Sequence, residues 1–379
     1  MADAVTPARV SLDATAVPDR PGGAGHYILE LARALATTGA VDLSVVCRRG
    51  DAARWRPHPG SSAVTVVEAG PPARPVRLVW EQVGLPRLLA GLGVDVHHAP
   101  HYTMPHLSRV PTVVTVHDLS FFSHPEWHQP TKARFFRAAI RAAAARADAV
   151  VAVSAATASR LQARVRPRAR VHVVPHGVDH ARFHPGAGGE GDLAARARIG
   201  ARQPYVAFLG TLEPRKDVPT LVRAFDRVAD RHPDLMLVLA GARGWGTEAV
   251  EAAVGASRRP DRVRLTGYVD HADAPALLRG AAAVAYPSLE EGFGLPALEA
   301  LACGAPLVTT TGSAMEEVAT GAALMVAPGD VAGLAEALDA LVSGGPAVEE
   351  RRRLGLEVAA RHTWGASAAA HAEIYRSVI

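Results

Sequence analysis

The stretch VPHGVDHARFHPGAGGEGDLAARARIGARQPYVAFLG, residues 174–210, decides the architecture. It starts where one series of apolar runs stops and finishes inside the first run of another. Its middle, HARFHPGAGGEGDLAARARIGARQ (180–203), is polar and Gly-rich at its centre, the composition of a domain linker. On the N-terminal side lie RVSLDA, VDLSVVC, AVTVVEA, VDVHHA, TVVTVH, DAVVAVS and RVHVVP; on the C-terminal side PYVAFLG, DLMLVLAG, RVRLTGYV, AAVAYPS and APLVTTT. Helical patterns separate these short, often β-branched runs. Continuous apolar strands alternating with helices form parallel sheets covered on both faces. The expected fold class is therefore α/β, as two Rossmann-like, doubly wound domains facing each other across a cleft. At 379 residues the chain also exceeds what one hydrophobic core supports. Beyond 346 the pattern is helical, with a break near HTWG (362–365).

Composition narrows the class. Apolar residues make up 49 % and charged ones 21 %, which excludes a disordered chain. The net charge of +4 is small for this length, so anionic partners are favoured only mildly and nucleic acid is not expected. The sequence has no run of 18 apolar residues, and MADAVTPARVSLDATAV lacks the charged start and apolar core of a signal peptide. The expected location is cytoplasmic. Cys47 and Cys303, far apart and each in apolar surroundings, read as packed thiols.

In doubly wound sheets ligands bind at the carboxyl ends of strands. Three stretches fall there. In DRPGGAGHYILELARAL (19–35), Gly22, Gly23 and Gly25 would let backbone approach a ligand, although an ordinary tight strand-to-helix connection uses glycine equally well. In FLGTLEPRKDVPTLVRAF (208–225), Arg215 and Lys216 precede a helix starting near Asp217 or Pro219. Two cations beside a helix N-terminus suit a diphosphate; a solvated charge pair is the competing explanation. In EEGFGLPALEA (290–300), Gly292 and Gly294 can turn backbone N–H groups outward ahead of a helix that Pro296 opens. A carboxylate repels phosphate, so Glu291 and Glu299 suit sugar hydroxyls, while a loop charge and a helix-dipole partner explain the same residues without a ligand. The cluster His97, His98, His101 and His106 reads as cleft lining; adjacent His97 and His98 point to opposite strand faces, and no metal site is expected. In the helical stretch 131–148, Lys132, Arg134, Arg137, Arg141 and Arg146 alternate with Phe135, Phe136 and Ile140. It is either a membrane-surface helix or a helix packed on its own sheet with a solvated basic face.

Glu291, seven residues and then Glu299, within EGFGLPALEA, resemble the E-x7-E motif of retaining glycosyltransferases of the GT-B fold, family 4 (glycosyltransferase group 1). GTLEPRKDVPTLVRAF is similar to the family's diphosphate-binding segment. GGAGHYILELARAL, VVTVHDLSFFSHPEW, VVAVSAATASRL and VPHGVD match its order, so the resemblance covers nearly the whole chain. It implies an acceptor-side domain over residues 1–180, onto which a C-terminal helix of about 362–379 packs back, and a donor domain over 200–361. It further implies that Arg215 and Lys216 neutralise the donor diphosphate, helped by backbone after Gly210 and at Gly23. Glu299 would hold the ribose. Glu291, with backbone at Gly292, Phe293, Gly294 and Leu295, would hold hydroxyls of the transferred sugar. His117, with Asp118 beside it, would face the reacting centre, although a core histidine with a satisfied partner is the commoner fate of such a residue. Val269, after Tyr268, would lie near the nucleobase.

No D-x-D motif is present, and the family manages without metal or other cofactor. The nearest likeness is to bacterial mannosyltransferases, which implies a nucleotide-sugar donor, GDP-mannose first and UDP-glucose or another UDP-sugar second, and a saccharide or lipid-linked acceptor. A glycoside hydrolase using Glu291 and Glu299, a nucleotide-sugar epimerase and a non-catalytic nucleotide-sugar binder are the alternatives.

Overall fold

A computed structural model describes residues 7–56, 63–186 and 188–379; residues 1–6 of the N-terminal segment and Ala187 of the linker stretch lie outside it. The chain divides into two compact units. Met1–Ser123, Pro130–Gly177 and Trp364–Ile379 make up the first, and His124–Gln129 with Val178–Thr363 the second.

The first unit is built on seven parallel strands: β1 Ala8–Asp13, β2 Val41–Arg48, β3 Val64–Gly70, β4 Val96–Ala99, β5 Thr112–Val116, β6 Ala149–Ala152 and β7 Arg170–Val173, in the order β3-β2-β1-β4-β5-β6-β7. Every residue of β4, β5 and β6 is buried, as expected of central strands covered on both faces. The order reverses between β1 and β4.

The second unit repeats the plan with β8 Tyr205–Leu209, β9 Met236–Ala240, β10 Val263–Gly267, β11 Ala283–Tyr286, β12 Leu307–Thr310 and β13 Leu324–Val326, in the order β10-β9-β8-β11-β12-β13. Its reversal lies between β8 and β11. The edge strand β13 has three residues, too few for its apolar run to stand out in the sequence. The stretch 180–203 is not a plain linker. It contains the helix Glu190–Ile199, where Ala195 and Ile199 are buried and Asp192 accepts from Arg279 Nε at 2.7 Å and Nη2 at 2.6 Å. The sequence pattern hid this because four of the ten helix residues are charged and its apolar side is short.

The helix Trp364–Ser377 belongs to the first unit and packs against the helix Gly23–Thr38. A buried chain of hydrogen bonds secures it. His371 Nδ1 lies 2.7 Å from the Ser367 carbonyl, which can only accept, so in the neutral ring this nitrogen carries the proton and Nε2 accepts from the Tyr27 hydroxyl at 2.9 Å. The same direction then runs through every link: Thr115 donates to Tyr27 at 2.9 Å, His98 Nε2 donates to Thr115 at 2.8 Å, and Tyr375 donates to His98 Nδ1 at 2.7 Å. One set of neutral tautomers satisfies the whole chain. Burial favours that state, pushing the His371 imidazolium down to about 4 and that of His98 well below its ordinary value.

Candidate functional site

The two reversal points mark where ligands bind in sheets of this kind. In the second unit, the loops leaving β8 and β11 flank that point. After β8, Gly210 leads into a single 3-10 turn, Pro214–Lys216, and Asp217 then opens the helix Val218–Val228. After β11, residues 287–294 lead into the helix Leu295–Ala302, so that the carboxyl ends of two neighbouring strands bring Arg215, Lys216 and Glu291 together.

Glu291 Oε2 accepts from Arg215 Nη1 at 2.6 Å, and Oε1 pairs with Lys216 Nζ. Arg215 Nε also pairs with Glu213 at 2.7 Å. Two further contacts tie the loops: Leu289 N–H donates to the Arg215 carbonyl at 2.8 Å, and Arg215 Nη1 to the Glu290 carbonyl at 3.3 Å. Lys216 and Glu291 are each only 7 % exposed. Burial by itself raises the Glu291 carboxyl, but the charges of Arg215 and Lys216 more than offset it and hold the group at about 2.

Gly294 caps the helix Leu295–Ala302 at φ 100°, and a Cβ there would meet Met315 Cγ at 2.4 Å. Glycine is therefore needed where the chain turns from Gly292 and Phe293 into the helix. Pro296 occupies the first turn, and Glu299 lies in the same helix, 8 % exposed. Gly210 donates its N–H to Ala240 at 2.9 Å, and Gly241 packs so closely that a Cβ would fall 1.8 Å from the Gly210 carbonyl oxygen. Sequence reasoning missed Gly241; its one signal was the glycine spacing in AGARGWG (240–246). Also missed were Tyr286 and Ser288 at the end of β11, whose hydroxyls are buried without a hydrogen-bond partner. Val269 follows β10, half-buried beside the exposed Tyr268.

In the first unit the loops leaving β1 and β4 flank the reversal. Gly22 and Gly23 open the helix Gly23–Thr38 with empty space where a Cβ would stand, whereas Gly25 is glycine because a Cβ would lie 2.7 Å from Pro21. His117 directly follows β5 and is 8 % exposed. Its Nε2 lies 2.7 Å from the Pro100 carbonyl, which places the proton of the neutral ring on Nε2 and leaves Nδ1 without one. Burial lowers its imidazolium below the ordinary value. Asp118 has local bonds at both oxygens: Oδ1 accepts from Ser120 N–H at 3.1 Å and Oγ at 2.6 Å, and Oδ2 from Tyr102 at 3.1 Å.

The histidine-rich segment does not line a cleft at its first two positions. His97 and His98 are wholly buried, His97 with Ser11 at 2.8 Å and His98 in the chain described above. They sit on β4, a strand with no exposed face. Among the described residues, no group of three or more His, Cys, Asp or Glu side chains is placed to hold a metal ion. Cys47 and Cys303 are both free thiols and buried.

Two parallel, doubly wound units with this strand order define a protein of the GT-B class. The structure matches sucrose-phosphate synthase from Thermosynechococcus elongatus with a TM-score of 0.78 and 22 % identity over 98 % of each chain. The family description "Glycosyl transferases group 1" matches residues 203–344, and "Glycosyltransferase Family 4" matches residues 21–182. O-antigen chain mannosyltransferase B of Escherichia coli is 31 % identical over 62 % of this chain and 62 % of its own length. Glycogen synthase of Mycobacterium tuberculosis (strain CDC 1551 / Oshkosh) is 30 % identical over 93 % of this chain and 91 % of its own length. The chain thus spans less than two thirds of the E. coli relative but nearly all of the mycobacterial one. It belongs to the group 1 glycosyltransferases, family 4.

Proposed function

We propose that the protein is a retaining glycosyltransferase that moves a hexose, mannose from GDP-mannose, onto a hydroxyl of a saccharide or lipid-linked acceptor. The observation that carries this reading is the set of Arg215, Lys216 and Glu291, half-buried at Arg215 and buried at the other two, ahead of the helix Leu295–Ala302. Two adjacent cations at a loop-to-helix junction suit a diphosphate, with Arg gripping in its plane and Lys acting as a compact charge. Backbone after Gly210 and at Gly23 assists them. Glu299 holds the ribose, and Val269 lies by the nucleobase. Glu291 holds sugar hydroxyls together with backbone at Gly292, Phe293, Gly294 and Leu295. In the first unit His117 contacts substrate and Asp118 fixes the loop around it.

Transfer proceeds on one face of the sugar. The bond from the anomeric carbon to the diphosphate oxygen breaks, the acceptor oxygen bonds to that carbon, and its proton passes to the departing phosphate. No side chain need act as base, so the protein contributes position and electrostatics. The proposal uses no metal or other cofactor. Likeness to the E. coli mannosyltransferase favours GDP-mannose, while likeness to glycogen synthase keeps a UDP- or other nucleotide-linked glucose as the second reading. The hydrolase reading is disfavoured because both Glu291 oxygens are engaged by cations, which suits neither a proton donor nor a nucleophile. A cytoplasmic location, with contact to an anionic membrane surface through residues 131–148, completes the proposal.

The test is thermal stabilisation by GDP-mannose, UDP-glucose, GDP and UDP, repeated on Glu299→Ala and Arg215→Ala. Ligand at about 100 times its dissociation constant stabilises by about 2.7 kcal/mol. Selective stabilisation by one nucleotide, weakened in both variants, is the expected result. Absence of stabilisation by every nucleotide would overturn the reading.

A further inference from the structure

We propose that Glu291 is the resident counter-ion of Arg215 and Lys216, and that a nucleoside diphosphate binds by displacing its carboxylate from them. The inference rests on the donor-site reading above and adds a mechanism of exchange to it.

Three observations support it. The Glu291 carboxylate spans both cations, one oxygen on Arg215 Nη1 at 2.6 Å and the other on Lys216 Nζ, in the manner of a bound phosphate. The charges also balance without a ligand: Arg215 and Lys216 face Glu291 and Glu213. A diphosphate entering a neutral set gains little from it until one carboxylate leaves. Finally, Glu291 and Lys216 are almost fully buried, where weak screening strengthens both the existing pair and the competition for it.

Displacement gives the released carboxylate a second task. Freed from the cations, it can accept hydrogen bonds from hydroxyls of the sugar carried on the same diphosphate. Phosphate capture and sugar capture then become one coupled event. A nucleoside diphosphate without sugar also displaces Glu291 but offers it no hydroxyl, leaving a buried carboxylate without compensation. After transfer, Glu291 therefore returns to Arg215 and Lys216 and helps to expel the product.

The experiment is calorimetric titration of the full chain with GDP and with UDP, neither of which carries a sugar. If Glu291 only held sugar hydroxyls, Glu291→Gln would leave this binding unchanged. The exchange predicts instead that Glu291→Gln tightens the bound diphosphate by about tenfold or more, the effect of removing a unit charge near an anion at protein-like dielectric. Glu291→Asp keeps the charge and gives less tightening. Glu213→Gln, closer to the surface, tightens binding by a smaller factor and stands in if Glu291→Gln does not fold. Equal or weaker binding by folded Glu291→Gln overturns the inference, as does unchanged binding by Glu213→Gln where the other variant does not fold. If Arg215→Ala still weakens binding in that case, the donor site survives and only the exchange fails. If neither diphosphate binds wild type or variant, the donor-site reading falls as well.

Discussion

At the residue scale, the carboxylates of EEGFGLPALEA were legible but their partners were not. Gly294 and Pro296 announced a loop entering a helix, and the helix begins there. The contact of Glu291 with Arg215 spans 76 positions and exists only because β8 and β11 are neighbours in the sheet. No local pattern encodes that adjacency, so from sequence alone Glu291 suits a sugar and the cations a phosphate, and their mutual pairing stays hidden. Gly294→Ala should test the turn itself. With φ at 100° and Met315 Cγ in the way, the added methyl should lower stability by about 1–3 kcal/mol in urea unfolding. A change below about 0.5 kcal/mol would show that the turn relaxes freely.

At the scale of elements, strands were the most legible. All seven runs of the first half and all five of the second became strands, because continuous β-branched stretches are hard to bury otherwise. The strand β13 and the helix Glu190–Ile199 escaped through shortness and charge. For the helix Pro130–Arg146 the sequence alone supports two readings, a membrane-surface helix and a helix packed on its own sheet. Its Phe136 and Ile140 are buried in the unit's core and Phe135 packs against that core, while Lys132, Arg134, Arg141 and Arg146 are exposed. Its apolar side is therefore used inward, and any hold on lipid comes from charge. The protein should sediment with anionic vesicles at low salt and be released near 0.5 M salt, where the Debye length falls to roughly 4 Å. Binding that persists at high salt, or to neutral vesicles, would contradict an electrostatic contact. Among the described residues, no single helix is long and apolar enough to cross a membrane.

At the scale of the whole molecule, the two units respond to acid with different charges. In the first, His97, His98, His117, His176 and His371 are buried with imidazolium pKa values below 6.5, about 4 for His97 and His371. Unfolding exposes them and lets them take up protons. Their contribution is therefore fully present above pH 6.5 and is lost as pH falls toward their folded values, by about 1.4 kcal/mol per pH unit for each fully responding group. In the second unit Glu291, held at about 2 against 4.5, contributes stability above pH 4.5 that is lost only as pH falls toward 2. Urea midpoints measured from pH 8 to 5, with hydrogen exchange to resolve the units, should show the first weakening before the second. Equal weakening of both would contradict this. The two-unit plan was legible because each half repeats strand and helix in alternation. The buried histidines were not, because burial on both faces of β4 depends on what packs over the sheet.

The return of Trp364–Ser377 to the first unit has a consequence for synthesis. Tyr27, His98 and Thr115 leave the ribosome early, yet their partners His371 and Tyr375 follow residues 178–363 of the second unit. At about 5–20 residues per second, the first unit waits roughly 10–40 s for the helix that completes its hydrogen-bonded chain. The second unit, continuous over those residues apart from its six-residue segment His124–Gln129, can fold during that interval. The half of the chain made first is thus the half finished last.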